Sequence, residues 1–136
     1  MPLMLWNDKV SVGVETLDED HHKIFAMINE LYDAIDKGSS GAMIGDLLER
    51  LKRYFKCHCA HEEAFFVMTS YPDAAAHKRE HDEMIVWVTD MQDRYQSGTV
   101  VAPSLEVMVR LEDWLFDHVI RCDQKYTAHL NAMGIH

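Results

Sequence analysis

Four stretches of this chain carry apolar side chains three or four residues apart, the spacing that places them on one face of an α-helix. Glycine, serine and proline lie between the stretches, so short turns are expected to join the helices. No stretch alternates apolar and polar residues as a half-buried strand does. The helices are predicted to run from near Asp18 to about Lys37, from after Gly41 to about Met68, from about Asp73 to Gln96, and from about Ser104 to Arg121.

Helices of this length with short loops predict an all-α fold, an up-down-up-down four-helix bundle. Residues 1 to about 16 are expected to form an N-terminal arm anchored by Trp6, and Thr16–Glu19 resembles a capping box. A short polar helix is expected near the C-terminal end, from about Lys125 to Asn131. With 136 residues, the chain is predicted to be a single domain, 1–136, because that length can bury one hydrophobic core.

Net charge and cysteine content limit the partners and the cellular compartment that this chain can have. The net charge of −10 argues against nucleic acid or an anionic membrane as a partner, since both require basic patches. No apolar run is long enough for membrane insertion, and the first residues lack the basic start of a signal peptide. The three cysteines, Cys57, Cys59 and Cys122, do not suggest a disulfide framework. We therefore expect a cytoplasmic protein that acts as a monomer.

Histidines and a glutamate interrupt the inward faces of all four predicted helices. Those of the first and third helices lie near the start, and those of the second and fourth lie near the end. These four helix ends share one end of an antiparallel bundle. Six side chains are therefore predicted to converge there: His21, His58, Glu62, His77, His81 and His118.

Asp123 is the candidate seventh member of this cluster. It follows His118 by five residues, which on a regular α-helix places the two side chains about 140° apart. Asp123 can therefore join His118 only if the helix frays or bends near Arg121.

Seven such side chains are too many ligands for one metal ion. Imidazole suits zinc, copper, iron and nickel alike, and zinc prefers four ligands. Two octahedral ions fit better if Glu62, Asp123 and a solvent-derived oxygen each bridge both of them. Five histidines then fill five of the six remaining positions, and one ion keeps a vacancy at which a small molecule can bind.

The order and spacing of these residues resemble the hemerythrin family, in particular its bacterial single-domain members. The pattern reads His21, then His58-x-x-x-Glu62, His77-x-x-x-His81, and His118-x-x-x-x-Asp123. The resemblance extends over nearly the whole chain and includes these further stretches: Ser11–Val14, Asp18–His21, Glu62-Glu63, Tyr71-Pro72 and Trp114-Leu115.

The resemblance implies a cofactor and a ligand. The cofactor would be two iron ions per chain, with a bridging oxo or hydroxo group, in a non-haem centre that binds O2 reversibly. In the family pattern His21 and His58 hold the iron with the open position. The saturated iron is held by the other three histidines, His77, His81 and His118.

The resemblance also suggests an O2 pocket. Trp114 and Leu115 precede His118 by four and three residues, so they are expected to wall the pocket as well as pack in the core. Cys59 occupies a position where the family usually has an aromatic side chain, so one interpretation is a roomier pocket, unless a neighbour such as Phe55 or Trp114 fills the space. The other is that Cys59 faces a neighbouring helix and that Phe65 or Phe66 supplies the wall.

Three functions remain open from the sequence. An O2 carrier or store, which is not an enzyme, is favoured because the predicted ligand shell is rich in histidine, whereas oxidative di-iron bundles use a carboxylate-rich shell. An oxygen-consuming enzyme would be a possible recipient. The alternatives are a di-iron enzyme that acts on peroxide or nitric oxide, and an O2 or redox sensor that works through a separate partner.

Overall fold

The computed structural model describes residues 4–98 and 103–136 and shows the predicted all-α, up-down-up-down four-helix bundle. The first three residues of the predicted arm, and residues 99–102 of the predicted loop before Pro103, lie outside the described ranges. No strand occurs in the described part of the chain. The helices are α1 Glu15–Asp36, α2 Gly41–Thr69, α3 Ala74–Gln96, α4 Leu105–His118 and α5 Gln124–Ala132.

Serine side chains start two of these helices. The Ser40 hydroxyl accepts a hydrogen bond from the backbone N–H of Met43 at the start of α2, and Ser104 starts α4 in the same way. Such caps satisfy N–H groups that the first turn leaves unpaired. Gly38, in the turn between α1 and α2, has a φ of 68°, a conformation that glycine adopts without strain.

The capping box predicted at the start of α1 is wrong. The helix begins earlier, at Glu15, after Val14, which makes no side-chain cap. Asp18 instead accepts hydrogen bonds from the Ser11 hydroxyl and the Val12 N–H, at 2.5 and 2.8 Å. Its carboxylate therefore fastens the arm to α1, and the short-range pattern of a cap was misleading.

Two residues anchor the arm against α1. Trp6 stacks on His22, with ring centroids 3.7 Å apart, as the predicted anchor should. Met4 is the more deeply buried of the two, and its backbone N–H and C=O both bond to the Asn29 side chain, at 2.7 and 2.8 Å. A single side chain on α1 thus satisfies both backbone polar groups of Met4.

The last helix of the bundle changes its pitch before it ends. Val119–Asp123 form a π-helical turn that joins α4 to α5, and the Gln124 N–H bonds to the carbonyl of Val119. The helix therefore changes its geometry near Arg121, as it must if Asp123 is to join His118. The predicted C-terminal helix is α5, which continues directly from this turn. The five-residue hydrogen bonds bring residues five apart to the same side of the helix.

The N-terminal arm packs closely against α5. The Thr127 hydroxyl donates to the Val12 carbonyl at 2.5 Å, and the Gln124 amide donates to the Lys9 carbonyl at 2.6 Å. Gly13 lies in this contact with a φ of 69°, and a Cβ at this position would stand 2.7 Å from the Thr127 methyl group. Only glycine fits that conformation and that space. Among the described residues, no helix is long and apolar enough to cross a membrane.

Candidate metal centre

All seven predicted ligand side chains meet at one end of the bundle. They come from the start of α1, the end of α2, the start of α3, the end of α4 and the π-helical turn. Each is almost completely withdrawn from solvent, with 4% or less of its surface exposed: His21, His58, Glu62, His77, His81, His118 and Asp123.

The cluster divides into two overlapping groups. One contains His77, His81 and His118, and the other contains His21 and His58. Glu62 and Asp123 belong to both groups, and within each group the potential ligand atoms lie within 4.8 Å of one another. Two carboxylates shared between two sets of imidazoles are an arrangement that could hold two ions side by side.

Asp123 divides its two oxygen atoms between the groups. Its Oδ1 lies 2.9 Å from Nε2 of both His77 and His118, and its Oδ2 lies 3.1 Å from Nε2 of His21. Glu62 uses one oxygen for both, since Oε1 lies 3.0 Å from Nε2 of His58 and 3.1 Å from Nε2 of His81. The π-helical turn makes the Asp123 contacts possible.

The ligand atoms are close together but few of them form hydrogen bonds. Within the described residues, both oxygens of Glu62 and of Asp123 have no hydrogen-bond partner. The same is true of Nε2 of His77, His81 and His118. Buried polar atoms left unpaired in this way are costly and are rare in folded proteins. Their crowding is explained if each points toward an ion.

The spacing of these atoms fits metal coordination. Two ligand atoms at neighbouring corners of an octahedron, each about 2.1 Å from the ion, stand about 3.0 Å apart. The Nε2 atoms of His21 and His58 are 3.0 Å apart, and the carboxylate contacts described above lie between 2.9 and 3.1 Å. The residues present therefore fit a two-metal centre with histidine and carboxylate ligands.

Carboxylates outside the cluster hold two of the imidazoles. The Nδ1–H of His58 donates to Asp20, and that of His81 donates to Glu63, both at 3.0 Å. Nδ1 of His118 lies 3.6 Å from Glu80, beyond hydrogen-bond distance. With the proton on Nδ1, the inward Nε2 presents a lone pair, as a metal ligand must.

The two buried carboxyl groups are ionised. Burial alone would raise the pKa of Glu62, but the charge of His58 and the close imidazoles of His77 and His81 hold that pKa well below its usual value. The pKa of Asp123 is lowered in the same way, chiefly by His118 against the opposing effects of burial and Glu62. These charges in turn overcome the effect of burial on two imidazoles, raising the pKa of His58 to about 10 and that of His77 to about 9. A bound metal would displace these protons.

A narrow apolar cavity lies one helical turn from the cluster. Its volume is about 10 Å³, close to the least space that one water molecule needs. Trp114 and Leu115 line the cavity, and the Trp114 ring stacks on His118 with centroids 4.8 Å apart. The other lining residues are Ile24, Ile28, Leu51, Phe55, Met84, Val88 and Leu111.

Cys59 is not among the residues that line this cavity. It is buried, and its sulfur lies near His81 and Glu63, with ligand atoms of the three residues within 4.8 Å of one another. Its side chain leaves α2 toward α3, as the second interpretation of the sequence has it, so Cys59 does not enlarge this particular cavity. Phe55, one turn earlier on α2, supplies the aromatic wall and packs against Trp114.

Several residues around the cluster were not predicted as site residues. Asp20 and Glu80 approach the imidazoles of His58 and His118 from other helices, a relation that only the packing of helix pairs reveals. Tyr126 is fully buried beside His77, and its hydroxyl has no hydrogen-bond partner among the described residues. Burial and the charges of Glu62 and Asp123 raise its pKa well above the usual value, so the phenol keeps its proton. Tyr126 follows Asp123 by three residues, and this helical spacing was the sequence signal that could have placed it beside the cluster.

The fold and the cluster together define a four-helix bundle with a candidate histidine–carboxylate metal centre at one end. The chain belongs to the hemerythrin family, because residues 12–130 match the model of the hemerythrin HHE cation binding domain.

Curated relatives agree with this assignment. The chain is 34% identical to the bacteriohemerythrin of Stenotrophomonas maltophilia (strain R551-3), over 98% of this chain and 88% of the relative. It is 32% identical to the bacteriohemerythrin of Methylococcus capsulatus (strain ATCC 33009 / NCIMB 11132 / Bath), over 97% of this chain and 100% of that one. A crystal structure of wild-type hemerythrin superposes with a TM-score of 0.89 at 31% identity, covering 94% of this chain and 98% of that chain.

Proposed function

We propose that this chain binds O2 reversibly at a non-haem di-iron centre and serves in oxygen transport, storage or delivery. The observation that carries the proposal is the unequal division of the cluster. Both groups share Glu62 and Asp123, but one has three histidines and the other has only two, His21 and His58. With one bridging solvent oxygen, the first ion would be six-coordinate and the second would keep an open position.

Two iron ions per chain, with a bridging oxo or hydroxo group, are the proposed cofactor. Bound there, the iron pair would supply the electrons that reversible O2 binding requires. Glu62 and Asp123 would hold both ions. The histidine ligands of the saturated ion would be His77, His81 and His118, and those of the open ion His21 and His58.

The apolar cavity gives the chain a means of excluding water from the open position. Ile24 and Phe55, which line it, lie three residues after His21 and three before His58. The cavity therefore begins one turn from the two histidines of the open ion. Apolar walls admit a small neutral molecule such as O2 and disfavour anions and bulk water, which lack hydrogen-bond partners there.

The ligand set favours a carrier over an enzyme. Five of the seven proposed ligands are imidazoles and two are carboxylates. Oxidative di-iron bundles typically use a shell richer in carboxylates, which stabilises more highly charged iron. The curated relatives named bacteriohemerythrin support the same class of function.

We further propose a cytoplasmic monomer that is a single hemerythrin domain over residues 1–136. All seven proposed ligands come from one chain, so the centre needs no second subunit. The three cysteines are free thiols, as a reducing compartment keeps them. O2 would be the small-molecule partner, and an oxygen-consuming enzyme a possible recipient.

An optical titration tests the proposal. The apoprotein is loaded with ferrous iron without air, titrated with O2, and then returned to an inert atmosphere. We expect two irons and one O2 per chain, with an absorption change that reverses when O2 is removed. The zinc-loaded protein is the control and should take up no O2, because zinc has no redox chemistry.

Other outcomes would contradict the proposal. One metal per chain, or an irreversible absorption change, would exclude a reversible di-iron carrier. Steady-state consumption of peroxide or nitric oxide by the iron-loaded protein would instead support the di-iron enzyme.

A further inference from the structure

The Asp20 carboxylate gathers three side chains of α2. Its Oδ2 accepts hydrogen bonds from Nδ1 of His58 at 3.0 Å and Nδ1 of His61 at 2.7 Å. Its Oδ1 accepts from the Tyr54 hydroxyl at 3.1 Å. Asp20 itself stands on α1, directly before His21, so it links the two helices that supply the histidines of the proposed open ion.

This contact determines which nitrogen of His58 faces the centre. Since Nδ1–H donates to Asp20, Nε2 is left without a proton in the neutral ring and points to His21 Nε2 and Glu62 Oε1, each 3.0 Å away. A carboxylate that accepts from a metal-bound imidazole also makes that imidazole a stronger electron donor. The donor strength of His58 therefore depends on how much negative charge Asp20 presents to it.

In the part of the chain that the structure describes, Asp20 is the only carboxylate that accepts a hydrogen bond from Nδ1 of a histidine in the two-histidine group. His21, the other histidine of the two-histidine group, has no hydrogen-bond partner on Nδ1 among the described residues. In the three-histidine group, Glu63 performs the same task for His81. Effects of Asp20 should therefore appear at the open ion through His58.

Tyr54 and His61 compete with His58 as hydrogen-bond donors to the Asp20 carboxylate. The carboxylate has only 17% of its surface exposed, so its interactions are with these side chains more than with water. Burial and the Asp20 charge raise the pKa of Tyr54 to about 12, so its hydroxyl remains a donor. Each additional donor spreads the negative charge and weakens what His58 receives.

We propose that Asp20 is a positioning residue that orients His58 and tunes the redox potential of the open iron, with Tyr54 and His61 limiting its strength. The inference rests on the proposed function, since it takes the two-histidine group as the open metal position. It assigns to His61, whose side chain is 37% exposed, a role two hydrogen bonds away from the metal, through Asp20 and His58.

Opposite shifts in two conservative variants test the proposal. Asp20→Asn keeps an acceptor of similar shape and removes the charge, so His58 donates less and the ferric state is less stabilised. We expect the midpoint potential of the iron centre to rise, and iron release to a chelator to become about 10-fold faster. Tyr54→Phe removes one competing donor, so we expect the potential to fall while iron content stays at two per chain.

Asp18→Asn is the matched control on the same helix. Asp18 bonds to Ser11 and Val12 of the arm, so this variant should leave the potential and the iron release rate unchanged. Spectroelectrochemical titration and chelator competition on the iron-loaded full chain supply both measurements. Shifts of equal sign in Asp20→Asn and Tyr54→Phe, or no shift in either, would overturn the proposal.

A second readout works without iron. In the zinc-loaded protein, the Nδ1 proton of His58 should give a slowly exchanging NMR signal in the wild type, and the signal should move upfield in Asp20→Asn. An identical signal in both proteins would show that Asp20 does not hold His58. A wild type that binds zinc but neither iron nor O2 would contradict the proposed function and leave this NMR comparison decisive for the role of Asp20.

Discussion

At the scale of single residues, the two buried carboxylates carry more of the site than any one histidine. Asp123 faces His21 with one oxygen and His77 and His118 with the other. Glu62 likewise contacts imidazoles of both groups. A histidine belongs to one group, whereas loss of either carboxylate would leave both groups short of a ligand.

A pair of histidine variants tests which imidazoles are ligands. His118→Ala removes a proposed ligand of the saturated ion, so we expect the iron content to fall from two to about one per chain or less. His22→Ala removes an exposed ring that stacks on Trp6 outside the cluster, so two irons should remain. Iron analysis after gel filtration gives both values. Equal iron content in the two variants would show that His118 is not a ligand.

At the scale of helices, the π-helical turn decides whether Asp123 reaches the centre. Deleting Ile120, whose side chain is 38% exposed, would let the turn become a regular α-helix. Asp123 would then follow His118 by four residues and still lie on the same face. We therefore expect the deletion variant to keep two irons per chain.

Insertion of an alanine after Ile120 is the converse experiment. It places Asp123 six residues after His118, a spacing that neither an α-helix nor a single π turn brings to one face. Iron content and the near-ultraviolet circular dichroism of the two length variants give the comparison. Retention of both irons in the insertion variant, or their loss in the deletion variant, would refute the role assigned to the turn.

Helix α4 also carries an acid with an unusual environment. Burial, together with the neighbouring Asp113, raises the pKa of Glu112 from 4.5 to about 7. The folded chain therefore binds this proton more tightly than the unfolded chain does, so its contribution to stability is present below pH 4.5 and is lost as the pH rises through 7. Glu112→Gln should remove this loss and raise the thermal midpoint at pH 8 by roughly a few °C, with little change at pH 4.5. A midpoint difference that does not depend on pH would contradict the assignment.

The helices were predictable because the apolar residues that each one buries recur at short, regular intervals along the chain. Ile24, Ile28 and Leu31 are buried as their three- and four-residue spacing requires, and four such stripes determine a bundle. The convergence of the seven polar residues followed from the antiparallel order alone. The π turn was required by the five-residue interval before Asp123, but the interval does not say whether the helix bends, frays or changes pitch.

Other features depend on contacts between helices and could not be predicted. Asp20 is one of several acidic residues at the start of α1, and nothing in its neighbours along the chain indicates that it reaches His58. Cys59 directly follows His58, and the sequence left open whether it faces the pocket or a neighbouring helix; its side chain turns toward His81 and Glu63. Side-chain direction depends on the rotation of α2 about its own axis, which small differences in packing decide.

At the scale of the whole molecule, the cluster contains side chains from all four helices of the bundle and lies at one end of it. Without metal, that end contains the ionised carboxylates of Glu62 and Asp123 crowded among buried imidazoles, whereas the opposite end is closed by apolar side chains such as Leu48 and Met91. Metal that binds only the folded state adds its binding free energy to stability.

Metal removal should therefore weaken the two ends unequally. We expect the thermal midpoint of the apoprotein to lie roughly 10 °C or more below that of the iron-loaded protein. Hydrogen exchange should accelerate most around His58, His77 and Asp123, and least around Leu48 and Met91. A uniform acceleration of hydrogen exchange along the chain, or an unchanged thermal midpoint, would show that metal does not stabilise this end of the bundle.

The π-helical turn has a consequence for heredity. It contains one residue more than an α-helix would use to bring Asp123 beside His118. In a gene, one extra residue is a whole inserted codon. A library made only by replacing bases can change every side chain in Val119–Asp123 and still never sample the shorter form. Whether a lineage carries four or five residues in this interval is therefore recorded as a gap of three nucleotides, which single-base changes neither open nor close.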